Sequence, residues 1–163
     1  MTEHFGNSRK FAEEMAQSMR SILEEGRDAI PMCFARRSDG KVLSIALSFE
    51  DDGGESKDFA AYAMRLIAQF PDTEYVVFLA DAWMATLKKE EYQEFEGSVR
   101  NIPGRKEAIV VSVFGRNCLT EVGHWAYEKV NGKLVFPEAM TWMTPETCEG
   151  RFVPEEATTR VRQ

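Results

Sequence analysis

Apolar residues recur at steps of three and four between residues 11 and 23, which is the spacing of one face of an α-helix. This helix is predicted to begin at Asn7 or Ser8, whose side chains can cap it, and to end at Gly26. A second amphipathic helix is predicted from Ser56 to the residue before Pro71, because that position disfavours the helical conformation. Its apolar residues are Phe59, Tyr62, Ala63, Leu66, Ile67 and Phe70.

A hairpin is predicted around Asp39-Gly40, because this dipeptide tolerates the positive φ angles of tight turns. If these are the two loop residues, Ser38 pairs with Lys41 and the strands acquire one bulky face and one face of small residues. The bulky face holds Met32, Phe34, Leu43, Ile45 and Leu47, and the small face holds Cys33, Ala35, Ser44, Ala46 and Ser48. The small face would allow a helix or a second subunit to approach closely.

Three further patterns predict strands. The apolar run 75–80 is typical of a short central strand covered on both faces and ended by Asp81, and residues 108–114 form a second strand. Asn131-Gly132 is the strongest hairpin signal in the chain and pairs Val130 with Lys133. That register assigns Trp125, Tyr127, Leu134 and Phe136 to the core and His124, Glu128 and Val135 to the opposite face, towards solvent or an interface.

The order of these elements predicts an α+β fold with a largely antiparallel or mixed sheet of about five or six strands, packed with two or three helices. A short charged helix over residues 88–96 is included in that estimate. Residues 1–144 are interpreted as a single domain. Residues 145–163 contain few apolar side chains, which predicts a loosely ordered tail.

Charge, hydropathy and cysteine content indicate which partners and which cell compartment the chain suits. The chain of 163 residues holds 20 Lys and Arg against 27 Asp and Glu, and the net charge of −7 argues against general affinity for nucleic acid. No apolar run approaches the roughly 18–20 residues of a membrane span, and the start lacks a secretory signal pattern. Cys33, Cys118 and Cys148 are odd in number and widely spaced, so a cytoplasmic protein with reduced thiols is predicted.

Metal, cofactor and nucleophile signals are weak. His4 and His124 are the only histidines and have no ligand spacing, so neither a metal nor a cofactor is predicted. The acidic run 50–55 lacks the spaced ligands of a calcium loop and is interpreted as solvated. Neither Ser112 nor Cys118 stands in a nucleophile motif, and His124 has no evident partner for acid–base work. Whether the chain is an enzyme stays open, with the balance against catalysis.

Asp81 is the best candidate for a ligand-binding position, because it follows an apolar strand and can project from a sheet end. Trp83 lies on the same side if the strand continues, and Arg105 and Arg116 bracket the next strand. These four residues form a hypothetical anion site; the alternative is a strand-end salt bridge with Trp83 in the core. Residues 98–116 contain four cationic side chains and one anionic side chain, Glu107. This excess of positive charge fits an anion site, contact with an acidic partner, or a solvated turn.

The segment Asp81-Ala-Trp83-Met, followed by Pro103-Gly-Arg105-Lys-Glu107 and a valine-rich strand, resembles small accessory proteins of prokaryotes and their viruses. The resemblance covers residues 75–115 and implies no activity, cofactor or catalytic residue. The leading hypothesis is therefore a non-catalytic intracellular protein that binds a second copy of itself or another protein. The alternative is a small-ligand enzyme or sensor that uses Asp81, Trp83, Arg105 and Arg116.

Overall fold

The computed structural model describes residues 2–49, 54–85, 90, 102–116, 118 and 120–144. This part of the chain contains two helices and seven strands, which confirms the predicted α+β class. The helices are α1 (Thr2–Glu24) and α2 (Glu55–Ala68). The strands are β1 (Met32–Arg37), β2 (Val42–Ala46), β3 (Thr73–Met84), β4 (Lys106–Phe114), β5 (Glu121–Val130), β6 (Lys133–Val135) and β7 (Thr141–Met143). The helix predicted over residues 88–96 and the tail from residue 145 lie outside the described residues, apart from Glu90.

The strands form one sheet in the order β2-β1-β3-β4-β5-β6, and β7 pairs with β5 beside β6. Every strand pair in the described residues is antiparallel. β3 and β4 lie at the centre, and the prediction of a central strand with both faces covered is confirmed for Val76–Leu79, where exposure is at most 2%. β3 is longer than predicted, so Asp81 lies within the strand and not at its end.

α1 covers one face of the sheet. It buries Ala12, Ala16 and Met19 against alternate residues of β3 and β4, such as Leu79 and Ile109. The helix starts earlier than predicted, at Thr2, and Ser8 is a buried residue inside it, so the predicted cap is wrong. The predicted end is confirmed, because Gly26 adopts φ 77° and the backbone N–H of Arg27 donates to the carbonyl of Ile22 at 3.2 Å.

α2 covers the other face, over β1 and β3. Ala61, Met64 and Ala68 are its buried residues, and Cys33 and Phe78 belong to the sheet surface beneath them. The helix forms where the sequence predicts one. Of the larger apolar residues predicted for its apolar face, Ile67 packs against this cluster, whereas Phe59, Tyr62, Leu66 and Phe70 are exposed.

The register predicted for the first hairpin is wrong by one residue. The loop has three residues, Ser38–Gly40, because the N–H of Arg37 donates to the carbonyl of Lys41 at 2.8 Å and Gly40 takes φ 85°. Since side chains alternate between faces, a shift of one residue exchanges the faces of one strand relative to the other. The bulky and small faces are therefore both mixed: Cys33 and Ala35 share a face with Leu43 and Ile45, and Met32 and Phe34 share the other with Ser44 and Ala46.

The register predicted for the last hairpin is confirmed. Asn131 and Gly132 take φ 51° and 79°, Val130 faces Lys133, and the sheet buries Trp125 and Tyr127 to 6% exposure. His124 lies on the opposite face, as predicted, but it is half-buried and not a surface residue. β7 was not predicted; it is held on α1 by Trp142, whose indole N–H donates to Glu13 at 2.9 Å.

Candidate functional site

The structure divides the four residues of the hypothetical anion site. In the register of β3 and β4, Asp81 pairs with Ile109 and Trp83 pairs with Glu107, so Arg105 comes next to the tryptophan. Its guanidinium lies 4.7 Å from the centre of the Trp83 ring. Arg116 follows the far end of β4, and its side chain donates to the carbonyl of Phe70 at 3.4 Å. At about 3.3 Å per residue, the two arginines stand on the order of 30 Å apart.

Asp81 takes part in a hydrogen bond within the fold. The hydroxyl of Tyr127 donates to its carboxylate at 2.7 Å, so the predicted strand-end salt bridge is replaced by a hydrogen bond. Desolvation raises the pKa of Asp81, the bond from Tyr127 opposes this rise, and the charges of Glu107 and Asp28 add to it. Glu107 and Asp28 place negative charge near Asp81, and Arg105 places positive charge over Trp83, so this end of the sheet carries charges of both signs.

Trp83 does not lie in the core, as the alternative required, and the cations of the basic segment are spread along the sheet. Trp83 is 43% exposed, so it is neither a core residue nor enclosed in a pocket. Lys106 lies 3.8 Å from Glu128, while Arg116 is at the other end of the sheet and Arg100 lies outside the described residues. The cations of this segment that the structure describes therefore do not form one patch.

Burial shifts the pKa values of two cysteines and of the candidate base His124 towards the neutral form of each group. Burial raises the pKa of Cys33 to about 12. Burial is also the main cause that raises the pKa of Cys118 to about 11, with a smaller contribution from the negative charge of Glu121. Both are protonated near neutral pH, whereas the thiolate is the nucleophile. Desolvation lowers the pKa of His124, whose buried Nδ1 has no hydrogen-bond partner in the described part of the chain. Ser112 is 4% exposed.

Neither a metal cluster nor a spanning helix is found in the described ranges. No three His, Cys, Asp or Glu side chains there come together as ligands. No helix there is long and apolar enough to cross a bilayer.

The outer face of α2 is the most unusual surface of the described structure. Four large apolar side chains lie along it at spacings of three and four residues, and the last of them is two residues past the end of the helix. They are Phe59, Tyr62, Leu66 and Phe70, with exposures of 74%, 60%, 43% and 57%. At 100° per residue this line, here called the α2 stripe, points away from the buried side of the helix. The stripe is therefore not used to hold α2 on the sheet.

An apolar groove of about 590 Å³ runs beside the stripe, between α2 and the β1–β2 hairpin. Its helix wall includes Phe59, which also belongs to the stripe, and its hairpin wall includes Ile45 and Leu47. β2 is an edge strand, and Leu43 on the same sheet face is 51% exposed. The stripe and the groove thus form a continuous apolar region, here called the α2 surface.

The sequence contained the signal for this surface, but its meaning was ambiguous. Residues 59, 62, 66 and 70 have the spacing of an amphipathic helix, which predicts that an apolar face exists and does not say what it contacts. Ala61, Met64 and Ala68 form a second apolar line on the same helix, and these smaller side chains make the contact with the sheet. Two apolar lines on one helix indicate two contact surfaces.

Comparison of the chain with protein-family models, with curated proteins and with solved structures finds no match. The resemblance of residues 75–115 to small accessory proteins stays a prediction from the sequence.

Proposed function

We propose that this chain is a non-catalytic protein-interaction module that works through the α2 surface. The observation that carries the proposal is the exposure of the α2 stripe, in which Phe59 alone is 74% exposed. Aromatic residues are enriched at protein interfaces, and large exposed apolar patches are typical of interaction sites. The stripe leaves roughly 450 Å² of apolar surface in contact with water, if a large aromatic side chain is taken to cover 150–250 Å².

The ligand-binding alternative has less support from the same structure. Its four residues do not converge: Arg116 is far from the others, Arg105 stacks on Trp83, and Asp81 accepts a hydrogen bond from Tyr127. A binding site for a small molecule is normally concave and surrounds polar groups that point inwards. The groove beside α2 is concave, but its walls are mostly apolar, and it belongs to the proposed interaction site.

The proposal is tested by site-specific photo-crosslinking of the full chain in cells that make it. Benzoylphenylalanine replaces Phe59 in one variant and Glu14, an exposed residue on the outer side of α1, in a matched control. We expect discrete light-dependent adducts from position 59 and none above background from position 14. Leu66→Glu, placed in the same chain as the position-59 probe, is expected to remove the adducts because it puts a charge in the stripe.

Mass spectrometry of the adducts identifies what lies on the stripe. Equal background labelling from the two positions would contradict the proposal, since an interaction module must be contacted there by a protein. Adducts that survive Leu66→Glu would contradict it too, because they would report random collision.

A further inference from the structure

We infer that the partner on the α2 surface is a second copy of this chain, with the two α2 helices packed antiparallel about a two-fold axis near Tyr62. This inference rests on the proposed function and names its partner. A two-fold interface uses one patch twice, so the patch must be complementary to itself in shape and in charge. The α2 surface meets both requirements.

The spacing of the stripe suits a helix pair. Phe59, Tyr62 and Leu66 follow the alternating steps of three and four residues that form the seam of packed helix dimers. Ala63, half-buried in the neighbouring groove, leaves room beside them for a large side chain from a facing helix. The apolar groove can thus receive the edge of a second stripe.

The charges along α2 suit an antiparallel pair in particular. Asp58 and Arg65 are both exposed and lie seven residues apart, so they occupy the same edge of the stripe. With the axis close to Tyr62, Asp58 of one copy comes beside Arg65 of the second copy, and the symmetry repeats the pair. A parallel arrangement would instead bring equal charges to the same height. The antiparallel arrangement also opposes the two helix dipoles favourably.

The charge of α2 argues for a like partner over a strongly charged one. The helix holds Glu55 and Asp58 against Lys57 and Arg65, so its net charge is zero in a chain of net charge −7. A helix that binds an acidic surface or a bilayer is typically rich in Lys and Arg. Charges elsewhere on two copies repel, but salt screens them beyond about 8 Å at physiological ionic strength.

The size of the surface indicates a reversible dimer and not an obligate one. Two stripes together with the flanking groove residues bury on the order of 1,000 Å², which is the lower limit for a specific interface. We therefore expect a reversible dimer with a dissociation constant on the order of 1–100 μM, and not an obligate one.

Sedimentation velocity of the full chain over a hundredfold concentration range measures this equilibrium. The mass is expected to rise from 18.6 kDa towards twice that value as the concentration passes through the micromolar range. Leu66→Glu and Tyr62→Ser are expected to weaken the dimer at least tenfold. Val135→Glu is the matched control, because Val135 is 52% exposed on β6 at the other edge of the sheet.

Exchange of the two charges tests the antiparallel geometry. Asp58→Arg and Arg65→Asp each place like charges across the axis and are expected to weaken the dimer roughly threefold to tenfold, since exposed pairs contribute little individually. The double exchange is expected to restore the wild-type constant. Circular dichroism and thermal midpoints first establish that each variant is folded. Additive losses in the double variant would overturn the antiparallel pairing.

A mass of 18.6 kDa that does not change over the whole range would overturn the dimer. So would a dimer that persists in Leu66→Glu and is lost in Val135→Glu. The crosslinking experiment separates these failures from that of the proposed function. Adducts with a different polypeptide, together with a concentration-independent monomer, leave an interaction module whose partner is not itself. Absence of adducts from position 59 removes both.

Discussion

α1 and α2 cover opposite faces of one sheet, and their inner sides are built alike. Each buries two alanines and one methionine. Their outer sides differ completely. The exposed residues of α1 after residue 6 are all polar: Asn7, Arg9, Lys10, Glu13, Glu14, Gln17, Ser18, Ser21 and Glu24. On α2 the exposed set includes two aromatic residues and a leucine. The same packing is thus achieved with either exterior, so the fold itself does not require the α2 stripe.

The two helices also differ in how they are attached. α1 carries an ion pair from Arg9 to Glu121 and accepts the indole hydrogen bond of Trp142 on Glu13. The guanidinium of Arg20 lies 4.8 Å from the ring centre of Trp125. α2 is shorter, with 14 residues against 23, and buries three side chains. α2 also has a polar attachment, because the Lys57 ammonium lies 5.8 Å from the ring centre of Phe49.

The largest effect is expected on the α1 side. Trp125→Ala should lower the free energy of unfolding by about 3–5 kcal/mol, because it leaves a cavity in the cluster beneath α1. It also removes the indole N–H that donates to the carbonyl of Pro137 at 2.7 Å. Denaturation by urea measures the loss. His124→Ala is the control, with a smaller expected cost since that side chain is half-buried. Equal losses would show that the two faces of β5 do not differ as described.

Thiol labelling compares the two sides of the sheet directly, because one cysteine belongs to the cluster beneath α2 and another packs against the cluster beneath α1. Cys33 lies beneath α2 and is 0% exposed, while the half-buried Cys118 packs against the cluster beneath α1. In a Cys148→Ser background at pH 8, Cys33 should react at least about tenfold more slowly, given its greater burial and its pKa of about 12 against about 11.

Protein concentration then tests the proposal that a second copy covers α2. Labelling of Cys33 requires α2 to open, and a second copy on α2 opposes that opening. The Cys33 rate should therefore fall as concentration rises through the micromolar range, while the Cys118 rate stays constant. A parallel fall at both cysteines would point to a general effect and not to the α2 surface.

The success and failure of the sequence predictions follow from how local each signal is. Asn131-Gly132 specifies its own turn, so the last hairpin and the burial of Trp125 followed from the sequence. Asp39-Gly40 permits loops of two or three residues, and no local pattern decides between them; the observed pairing of β1 with β2 has three. For the same reason the face of α2 that meets the sheet could not be read from periodicity, because both of its apolar lines fit.

The candidate site shows the same limit at longer range. Asp81 and Trp83 share a side because neighbouring residues of a strand alternate, and this was predictable. Arg105 joins them and Arg116 does not, because of the antiparallel order of β3 and β4 and their register. The sequence alone does not show that order. The bond from Tyr127 to Asp81 joins residues 46 positions apart, and no local pattern announces it.

Asp81→Asn should raise stability slightly at neutral pH. Desolvation raises the pKa of Asp81 above its usual value of 3.8, so the ionised form is less favourable in the folded state than in the unfolded one. This penalty is present above the folded pKa and disappears below about pH 3.8. Because the residue is exposed to solvent on one side, we expect a gain under about 1 kcal/mol.

Urea denaturation of the wild type and of Asp81→Asn at several pH values checks this. The two curves should converge as the pH falls towards 3.8, the usual value. Glu138→Gln, at an exposed position, is the control for the loss of one surface carboxylate. A variant that is less stable than the wild type at pH 7 would mean that the hydrogen bond from Tyr127 outweighs desolvation.

The smallest effect is expected at the most exposed residue of the stripe. Phe59→Ser should change the free energy of unfolding of the monomer by less than about 0.5 kcal/mol, because Phe59 is 74% exposed and the two residues have similar helix propensities. Met64→Ala, on the buried side of the same helix, should cost about 2–5 kcal/mol. Melts at concentrations well below the dimer range compare the two. A loss above about 1 kcal/mol for Phe59→Ser would mean that its ring stabilises the isolated fold. The apolar exterior of α2 would then serve folding and not binding.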